Sequence, residues 1–272
     1  MIQIGDNMEN PSSNSWRFLP VAVADGFSNM AIDEAILLSR IKGIVPNTVR
    51  LYQWSPSTVS IGMHQSIQQE VDAAEIDRRG FQLVRRISGG GAVLHATGAE
   101  ITYSVVARIP ELIANARKGT VIESCYHVIL EAIQRTLAKI SLDSMPGVIH
   151  CPAMLVDGKK FSGNAQCVKN NYILQHGTIL LQVNPDEMYS VLKPPETVTK
   201  SRMVRSVKAK VIGLEDLGIG IDPADFGEKF KDSFSELLDI SFFDGELVPE
   251  ECELIESLKI KYASDAWRMK YP

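Results

Sequence analysis

Residues 85 to 93 combine two arginines with three consecutive glycines. Glycine has no Cβ atom, so its backbone N–H groups can approach a ligand closely. The guanidinium group of arginine offers a fixed fork of donors that suits phosphate or carboxylate. The imidazole of His95 follows shortly after the glycines, and together these groups predict a site for an anionic or phosphorylated small molecule. The segment, named the glycine loop below, consists of Arg85, Arg86, Ile87, Ser88, Gly89, Gly90, Gly91, Ala92 and Val93.

The glycine loop matches neither of the common phosphate-binding patterns. A P-loop ends in Gly-Lys-Ser/Thr, and a dinucleotide fingerprint is followed directly by a helix. Here the apolar run at residues 101–107 is rich in β-branched and aromatic residues, which predicts another strand. Taken alone, the loop is equally typical of a Gly-rich hairpin with two solvated arginines.

The composition is that of an ordinary globular protein, with 45% apolar and 22% charged residues. A net charge of −5 gives no overall support for nucleic-acid binding. No apolar stretch reaches the roughly 18 residues that span a bilayer, and the N-terminus lacks the regions of a signal peptide. The four cysteines have no Cys-x-x-Cys spacing, which predicts neither zinc nor a disulfide scaffold. We therefore expect a cytoplasmic protein that binds neither membrane nor nucleic acid.

The elements that position the loop are strands joined by hairpins, with helices between them. This order predicts an α+β fold with mostly antiparallel sheets flanked by helices. We expect residues 1–15 to be a flexible N-terminal segment and residues 16–272 to be a single domain. Strands are predicted at residues 16–23, 49–54, 58–62, 81–84, 101–107 and 172–181. Helices are predicted from Ser28 or Asn29 to Gly43 and at residues 71–79, 121–140, 186–192, 222–238 and 248–262.

The stretch from Lys193 to Lys210 contains Pro194-Pro195 and then five cationic residues. This pattern predicts a long basic loop, and long loops in compact domains often act as lids. A solvated charged surface is the alternative. The cationic residues are Lys200, Arg202, Arg205, Lys208 and Lys210.

Four motifs occur along the chain in a fixed order. They are Asn29-Met30-Ala31-Ile32-Asp33-Glu34-Ala35, Arg85-Arg86 with Ser88-Gly89-Gly90-Gly91-Ala92-Val93 and His95, Lys160 with Ser162-Gly163-Asn164-Ala165-Gln166, and His176-Gly177-Thr178. The set resembles the lipoate–protein ligase and octanoyltransferase superfamily, which is related to biotin ligases. The resemblance extends from about residue 16 to the C-terminus, so it implies a catalytic domain over residues 16–272.

The resemblance implies a biotin/lipoate-ligase-like α+β catalytic domain with a sheet-lined tunnel for a C8 acyl chain. It implies that Lys160 contacts the acyl carbonyl or phosphate and stabilises the charge that develops during transfer. From the residues alone, Lys160 follows the hairpin signal Asp157-Gly158, where an exposed turn lysine is the alternative. The residues implied to bind substrate or adenylate are Arg85, Arg86, Gly89, Gly90, Gly91, Ala92, Val93, His95, Ser162, Gly163, Asn164, His176 and Gly177.

Ligases of this family use ATP and Mg²⁺ to convert lipoate or octanoate to acyl-AMP and then acylate a carrier lysine. The triple glycine and the segment His95-Ala96-Thr97-Gly98 resemble these ligases. Gly91 leaves room for an adenylate phosphate, whose charge Arg85 and Arg86 would balance. We therefore take an ATP-dependent lipoate–protein ligase as the first hypothesis.

The alternative is an octanoyltransferase that carries the acyl group as a thioester on Cys151 and needs no cofactor. Cys151 lies nine residues before Lys160 and next to His150, and a nearby ammonium or imidazolium would raise its thiolate content. Residues 100–104, 174–177 and 261–267 also resemble the transferases, and Pro152-Ala153 replaces the Asn-Asp pair usual in ligases. A buried structural cysteine is the other interpretation of Cys151, and we expect Cys125, Cys167 and Cys252 to be structural or incidental.

Both hypotheses imply a lipoyl-domain carrier protein as partner, such as a glycine-cleavage-H-like protein or an E2 lipoyl domain. A third hypothesis is a non-catalytic lipoyl-domain binding protein that has kept the fold. The intact glycine loop together with Lys160 argues against this third hypothesis, because binding alone requires neither.

Overall fold

A computed structural model of the chain describes residues 14–114, 119–147 and 152–271. Cys151 and most of the predicted N-terminal segment lie outside these residues, and the first strand already begins at Ser15. The strands are β1 Ser15–Ala24, β2 Thr48–Trp54, β3 Thr58–Ile61, β4 Gln82–Arg85, β5 Val93–His95, β6 Glu100–Arg108, β7 Met145–Pro146, β8 Ala153–Val156, β9 Lys159–Lys169, β10 Tyr172–Leu180 and β11 Ser241–Asp244.

The helices lie between and after these strands, and a 3-10 turn spans Leu214–Leu217. The helices are α1 Gly26–Ile41, α2 Ile67–Glu70, α3 Ala73–Arg78, α4 Ile109–Leu112, α5 Val121–Ala138, α6 Pro185–Val191, α7 Lys200–Lys210, α8 Pro223–Leu238, α9 Pro249–Ala263 and α10 Asp265–Arg268.

The strands form an eight-stranded sheet, in the order β11-β1-β2-β6-β10-β9-β8-β7, and a three-stranded sheet, in the order β4-β3-β5. In the large sheet, β1 pairs in parallel with β11 and β2, and the other described pairs are antiparallel. In the small sheet, β3 is parallel to β4 and antiparallel to β5. The α+β prediction with mostly antiparallel sheets is confirmed.

Both faces of the large sheet are covered by helices. In β6, Ile101, Tyr103 and Val105 belong to the core formed with α5 and α8, whereas Val106 packs on the opposite face with Ile36 of α1. Successive side chains of a strand point to opposite faces, so a strand covered on both sides buries nearly all of its side chains. Residues 100–107 are accordingly all buried.

Helix α1 begins earlier than its predicted cap. Asp25 is the N-cap, and its carboxylate accepts hydrogen bonds from the backbone N–H groups of Phe27 and Ser28. Asn29 is instead buried inside the helix, where its side-chain amide donates to the carbonyls of Ala24 and Gln53. The prediction of Ser28 or Asn29 as the cap was therefore wrong, because an aspartate three residues earlier satisfies the first N–H groups.

From Lys200 to Lys210 the basic stretch is a helix rather than the predicted loop. Thr199 caps α7, and its five cationic side chains are exposed while Val204 is buried. The two prolines precede the helix instead of interrupting it. Within the described ranges, no helix is both long and apolar enough to cross a membrane.

Candidate active site

A cavity of about 680 Å³ lies between the two sheets and is lined by residues of both. Residues from all four sequence motifs line it, and two of them, Met30 and Thr178, are 148 positions apart in the chain. Of the predicted substrate residues within the described ranges, Arg85, Gly89 and Ser162 are outside the lining. The lining includes Met30, Trp54, Ser60, Arg86, Gly90, Gly91, Ala92, Val93, His95, Glu100, Lys160, Gly163, Asn164, His176, Gly177 and Thr178.

The glycine loop follows β4 and leads into β5 at one wall of this cavity. Gly90 has φ +90, a conformation that L side chains rarely adopt. The loop also packs directly on Gly62, since a Cβ atom at that position would lie 2.1 Å from the Gly90 carbonyl oxygen. Gly62 supports the loop but was not identified from the sequence, because a single glycine after a strand carries no distinctive signal.

Arg86 lies beneath the glycine loop and uses its donors to hold it. Its Nη2 donates to the carbonyls of Gly89 and Gly91, both at 2.7 Å, and its Nε donates to Gly89 at 3.2 Å. Its Nη1 donates to the carbonyl and the hydroxyl of Ser60, at 3.1 and 3.0 Å. All five guanidinium N–H donors therefore have partners within the protein.

Arg85 is fully buried and points away from the cavity, into the C-terminal segment. Its Nε and Nη2 donate to the Arg268 carbonyl, and Nη2 also donates to the Tyr271 carbonyl at 2.9 Å. Its Nη1 donates to backbone carbonyls of Gly62, Met63 and Gln65. That Arg85 binds an anionic ligand stays a prediction; in this structure its guanidinium joins the backbone at Arg268 and Tyr271 to β4.

Lys160 lies on the cavity wall at the start of β9. Its backbone carbonyl accepts a hydrogen bond of 3.0 Å from Ile212, and it forms a parallel bridge with Val211. Its side chain crosses Gly163 closely, since a Cβ atom on Gly163 would lie 3.0 Å from Lys160 Nζ. Because Gly163 has no side chain, the Lys160 side chain can lie against strand β9. Ser162 is fully buried between these residues.

Asn164 and Gly177 join the neighbouring strands β9 and β10 below the cavity. Asn164 Nδ2 and its backbone N–H donate to the Pro152 carbonyl, at 2.9 and 3.1 Å. Its Oδ1 accepts a short hydrogen bond from Tyr103 Oη. Pro152 directly follows Cys151 in the chain, so Asn164 fastens the chain immediately after the candidate nucleophile.

A buried carboxylate, Asp33 of α1, organises the base of the site. Its Oδ1 accepts hydrogen bonds of 2.9 Å from Arg50 and Ser104, and its Oδ2 accepts from Tyr52 at 2.9 Å and His176 at 3.2 Å. Burial raises the pKa of Asp33, but the hydrogen bond to His176 and the Arg50 charge outweigh it and lower the pKa overall. Asp33 is therefore held as a carboxylate. Burial is the main cause that lowers the pKa of His176 and favours the neutral ring.

Two further cavity residues, Trp54 and Glu100, were missed as site residues. The Trp54 ring stacks on His95 with ring centres 4.1 Å apart, and Glu100 Oε1 lies 2.6 Å from His95 Nδ1. Glu100 is a carboxylate at the start of a buried strand, five residues after His95, and this position was the available signal.

The three cysteines within the described ranges do not resemble activated nucleophiles. Burial raises the pKa of Cys125 to about 11, and burial followed by the Glu34 charge raises that of Cys167. Cys252 lies exposed on α9. None of the three lines the cavity, which agrees with the expectation that they are structural or incidental.

The arrangement provides a cavity with apolar and polar walls, an ammonium group, a backbone loop and two buried histidines. Residues 25–235 match the model of the lipoyl protein ligase A/B catalytic domain. The chain belongs to this family. It is thus an enzyme of the lipoate ligase and octanoyltransferase class, as the resemblance of its motifs implied.

Curated relatives of this lipoyl ligase A/B family carry the name Octanoyltransferase LipM. The protein from Kyrpidia tusciae is 36% identical, with 94% of this chain and 99% of the relative covered. The protein from Bacillus subtilis is 32% identical, with 94% and 98% covered.

Solved structures of the family share the fold. A bipartite lipoate protein ligase from Thermoplasma acidophilum, described with its E2 lipoyl domain, has a TM-score of 0.80 and 25% identity, with 94% of this chain and 96% of that chain covered. A lipoate-protein ligase A bound with ATP has a TM-score of 0.78 and 26% identity, with 94% and 98% covered.

Proposed function

We propose that this protein is an octanoyltransferase that acts without ATP. It takes an octanoyl group from a carrier-bound thioester onto Cys151 and passes it to a lysine of a lipoyl-domain carrier protein. The names of the curated relatives, which match over nearly the full length of both chains, support this alternative over the ligase hypothesis. The similarity to an ATP-bound ligase supports only what the ligase and transferase hypotheses share, which is acylation of a carrier lysine.

The observation that carries the proposal is the use of every donor of Arg85 and Arg86 inside the protein. The ligase hypothesis required these two guanidinium groups to balance the adenylate phosphate. Their hydrogen bonds end instead on backbone carbonyls and on the Ser60 hydroxyl. A ligand phosphate would have to displace buried hydrogen bonds, each of which is expensive to leave unmade.

The proposed transfer uses the glycine loop without Mg²⁺-ATP. Within the described part of the chain, no group of three His, Cys, Asp or Glu side chains is arranged to hold a metal ion. The glycine loop nevertheless suits the acyl carbonyl, because backbone N–H groups can stabilise an oxyanion as readily as they bind phosphate.

The transfer takes two steps with one covalent intermediate. The Cys151 thiol loses its proton and its sulfur attacks the octanoyl carbonyl, and the carrier thiol leaves with a proton. The neutral amine of the acceptor lysine then attacks the acyl-enzyme. A C–N bond forms, the C–S bond breaks, and the surplus proton of the amine passes to the departing thiolate. Lys160 supplies positive charge at the cavity wall, where it stabilises the oxyanion of both tetrahedral intermediates.

Intact-mass measurement tests this proposal. The purified protein is mixed with an octanoyl thioester without acceptor, and we expect an octanoyl mass gain that Cys151→Ala abolishes. Cys252→Ala is the matched control, because it removes an exposed thiol that does not line the cavity. Addition of a lipoyl domain should move the octanoyl mass to the domain without ATP.

Two outcomes would overturn the proposal. If free octanoate or lipoate modifies the lipoyl domain only when ATP and Mg²⁺ are present, the protein is a ligase. Binding of the lipoyl domain without acyl transfer under either condition would support the non-catalytic binder.

A further inference from the structure

Two histidines of the cavity each lie between a carboxylate and a serine hydroxyl. His95 Nδ1 lies 2.6 Å from Glu100 Oε1, and His95 Nε2 lies 2.8 Å from Ser60 Oγ. His176 Nδ1 lies 3.2 Å from Asp33, and His176 Nε2 lies 2.5 Å from Ser88 Oγ. All of these side chains are buried, so their hydrogen bonds must be satisfied within the protein.

The direction of each hydrogen bond in the first set follows from its partners. A carboxylate only accepts, so His95 Nδ1 carries the proton that faces Glu100. In the neutral ring Nε2 is then an acceptor, and the Ser60 hydroxyl donates to it. The same hydroxyl oxygen accepts from Arg86 Nη1 at 3.0 Å. One consistent direction of donation therefore runs from Arg86 through Ser60 to His95 and Glu100.

Glu100 is itself fixed by a second chain of donors. The Thr102 hydroxyl donates to Glu100 Oε1 at 2.8 Å, and Trp54 Nε1 donates to Thr102 Oγ1 at 2.8 Å. The Trp54 indole also stacks on the His95 ring, with 13° between the planes. The His95 ring is consequently held at its edge and its face.

Both sets end at the glycine loop. Ser60 holds Arg86, whose guanidinium fixes the carbonyls of Gly89 and Gly91. Ser88, the partner of His176, directly precedes Gly89. The three glycines are therefore held by two routes, one from His95 through Ser60 and Arg86 and the other from His176 through Ser88.

We propose that Glu100 is a positioning residue for acyl transfer: it fixes the Nδ1-protonated tautomer of His95 and, through Ser60 and Arg86, the shape of the glycine loop. Without this acceptor the imidazole can take the other tautomer, in which Nε2 carries a proton and Ser60 must accept instead of donate. Ser60 Oγ would then accept from both His95 and Arg86, and its own hydroxyl hydrogen would no longer have His95 Nε2 as its acceptor. The consequence for catalysis rests on the proposed acyl transfer, whereas the tautomer does not.

Two variants at position 100 distinguish the effect of the hydrogen-bond acceptor of Glu100 from the effect of its negative charge. Glu100→Gln keeps an oxygen that accepts from His95 and Thr102, whereas Glu100→Leu removes it. We expect Glu100→Leu to lower kcat about 10- to 100-fold, by analogy with the loss of a carboxylate that orients a metal-bound histidine. Glu100→Gln should recover part of this activity, and KM for the carrier should change little. Glu253→Leu, at an exposed position of α9, is the matched control.

NMR of the ring nitrogens in ¹⁵N-histidine-labelled protein identifies the His95 tautomer independently of an activity assay. The chain has only five histidines, and protonated and unprotonated ring nitrogens have well-separated shifts. His95 of the unsubstituted protein should show a protonated Nδ1 and an unprotonated Nε2, and Glu100→Leu should mix the two forms. If Glu100→Leu does not fold, Ser60→Ala replaces it and should lower kcat and shift the Nε2 signal.

An Nε2-protonated His95 in the unsubstituted protein overturns the proposal. Unchanged kcat in Glu100→Leu, or in Ser60→Ala where that variant replaces it, overturns it as well. If the unsubstituted protein transfers no octanoyl group from a thioester, the proposed function fails, and the nitrogen spectra still decide whether Glu100 fixes the tautomer.

Discussion

The guanidinium group of Arg86 donates a hydrogen bond of 2.7 Å to the Gly91 carbonyl, the last of the three consecutive glycines. The side chain thus folds back under its own loop instead of extending into the cavity. Burial lowers the pKa of Arg86 to about 10, which still leaves the group cationic at neutral pH. The arginine that suggested a phosphate ligand in the sequence is the side chain that shapes the loop.

We predict that Arg86→Lys destabilises the protein and impairs transfer together. A lysine has three donors in place of five and cannot reach Ser60, Gly89 and Gly91 at once. Each buried carbonyl left without a partner costs about 1–3 kcal/mol of unfolding free energy. Urea unfolding measures this loss, and Arg78→Lys on the exposed face of α3 should change stability by less than about 0.5 kcal/mol. Equal stability of Arg86→Lys and the parent protein would contradict the structural role.

Local sequence signals predicted most elements because each was set by nearby residues. The helix predicted at residues 121–140 is α5, Val121–Ala138, and Asp157-Gly158 marks the β8–β9 hairpin. The basic stretch was assigned to a loop because of Pro194-Pro195 and the five cationic residues that follow. Val204, its buried contact, gives too weak a pattern to reveal the helix.

The site was predicted less completely because its hydrogen bonds join distant parts of the chain. Residue types alone indicated that Arg85 could bind an anion, but its acceptors include Arg268 and Tyr271, 183 and 186 positions away. Only the folded chain shows that these carbonyls occupy the guanidinium. The histidines were recognised through their motifs, whereas Asp33, the carboxylate partner of His176, lies 143 positions away in the chain.

Lys160→Ala should lower kcat for octanoyl transfer about 10²- to 10³-fold, as loss of an oxyanion-stabilising group does. Its side chain lies on the cavity wall, so folding should be little affected. Lys159→Ala is the matched control, since Lys159 is the neighbouring residue but does not line the cavity. Steady-state transfer to a lipoyl domain measures both variants. Similar kcat values for the two would show that position 160 contributes no charge to the reaction.

His176 should make the protein less stable as the pH falls. Burial lowers its pKa in the folded state, so the unfolded chain, with a histidine pKa of about 6.5, takes up the proton first. The stability is fully present above the unfolded pKa and decreases as the pH falls below it towards the folded pKa. The free energy of unfolding, measured with urea between about pH 5 and 8, should change less with pH in His176→Gln than in the parent protein. Parallel slopes would mean that His176 is not held neutral.

Gly177→Ala should destabilise the protein because β9 and β10 are too close there for a side chain. An added Cβ atom would lie 2.2 Å from Asn164 Oδ1, 2.7 Å from Tyr103 Oη and 2.8 Å from the Gly163 carbonyl oxygen. Such overpacking typically costs about 1–3 kcal/mol, and separation of the strands would also move the Asn164 side chain that holds the Pro152 carbonyl. Gly91→Ala is the stability control, since a Cβ atom there meets no atom of the described residues within 4 Å. Thermal unfolding should therefore rank Gly177→Ala well below Gly91→Ala, and the opposite ranking would show that the two strands can separate without cost.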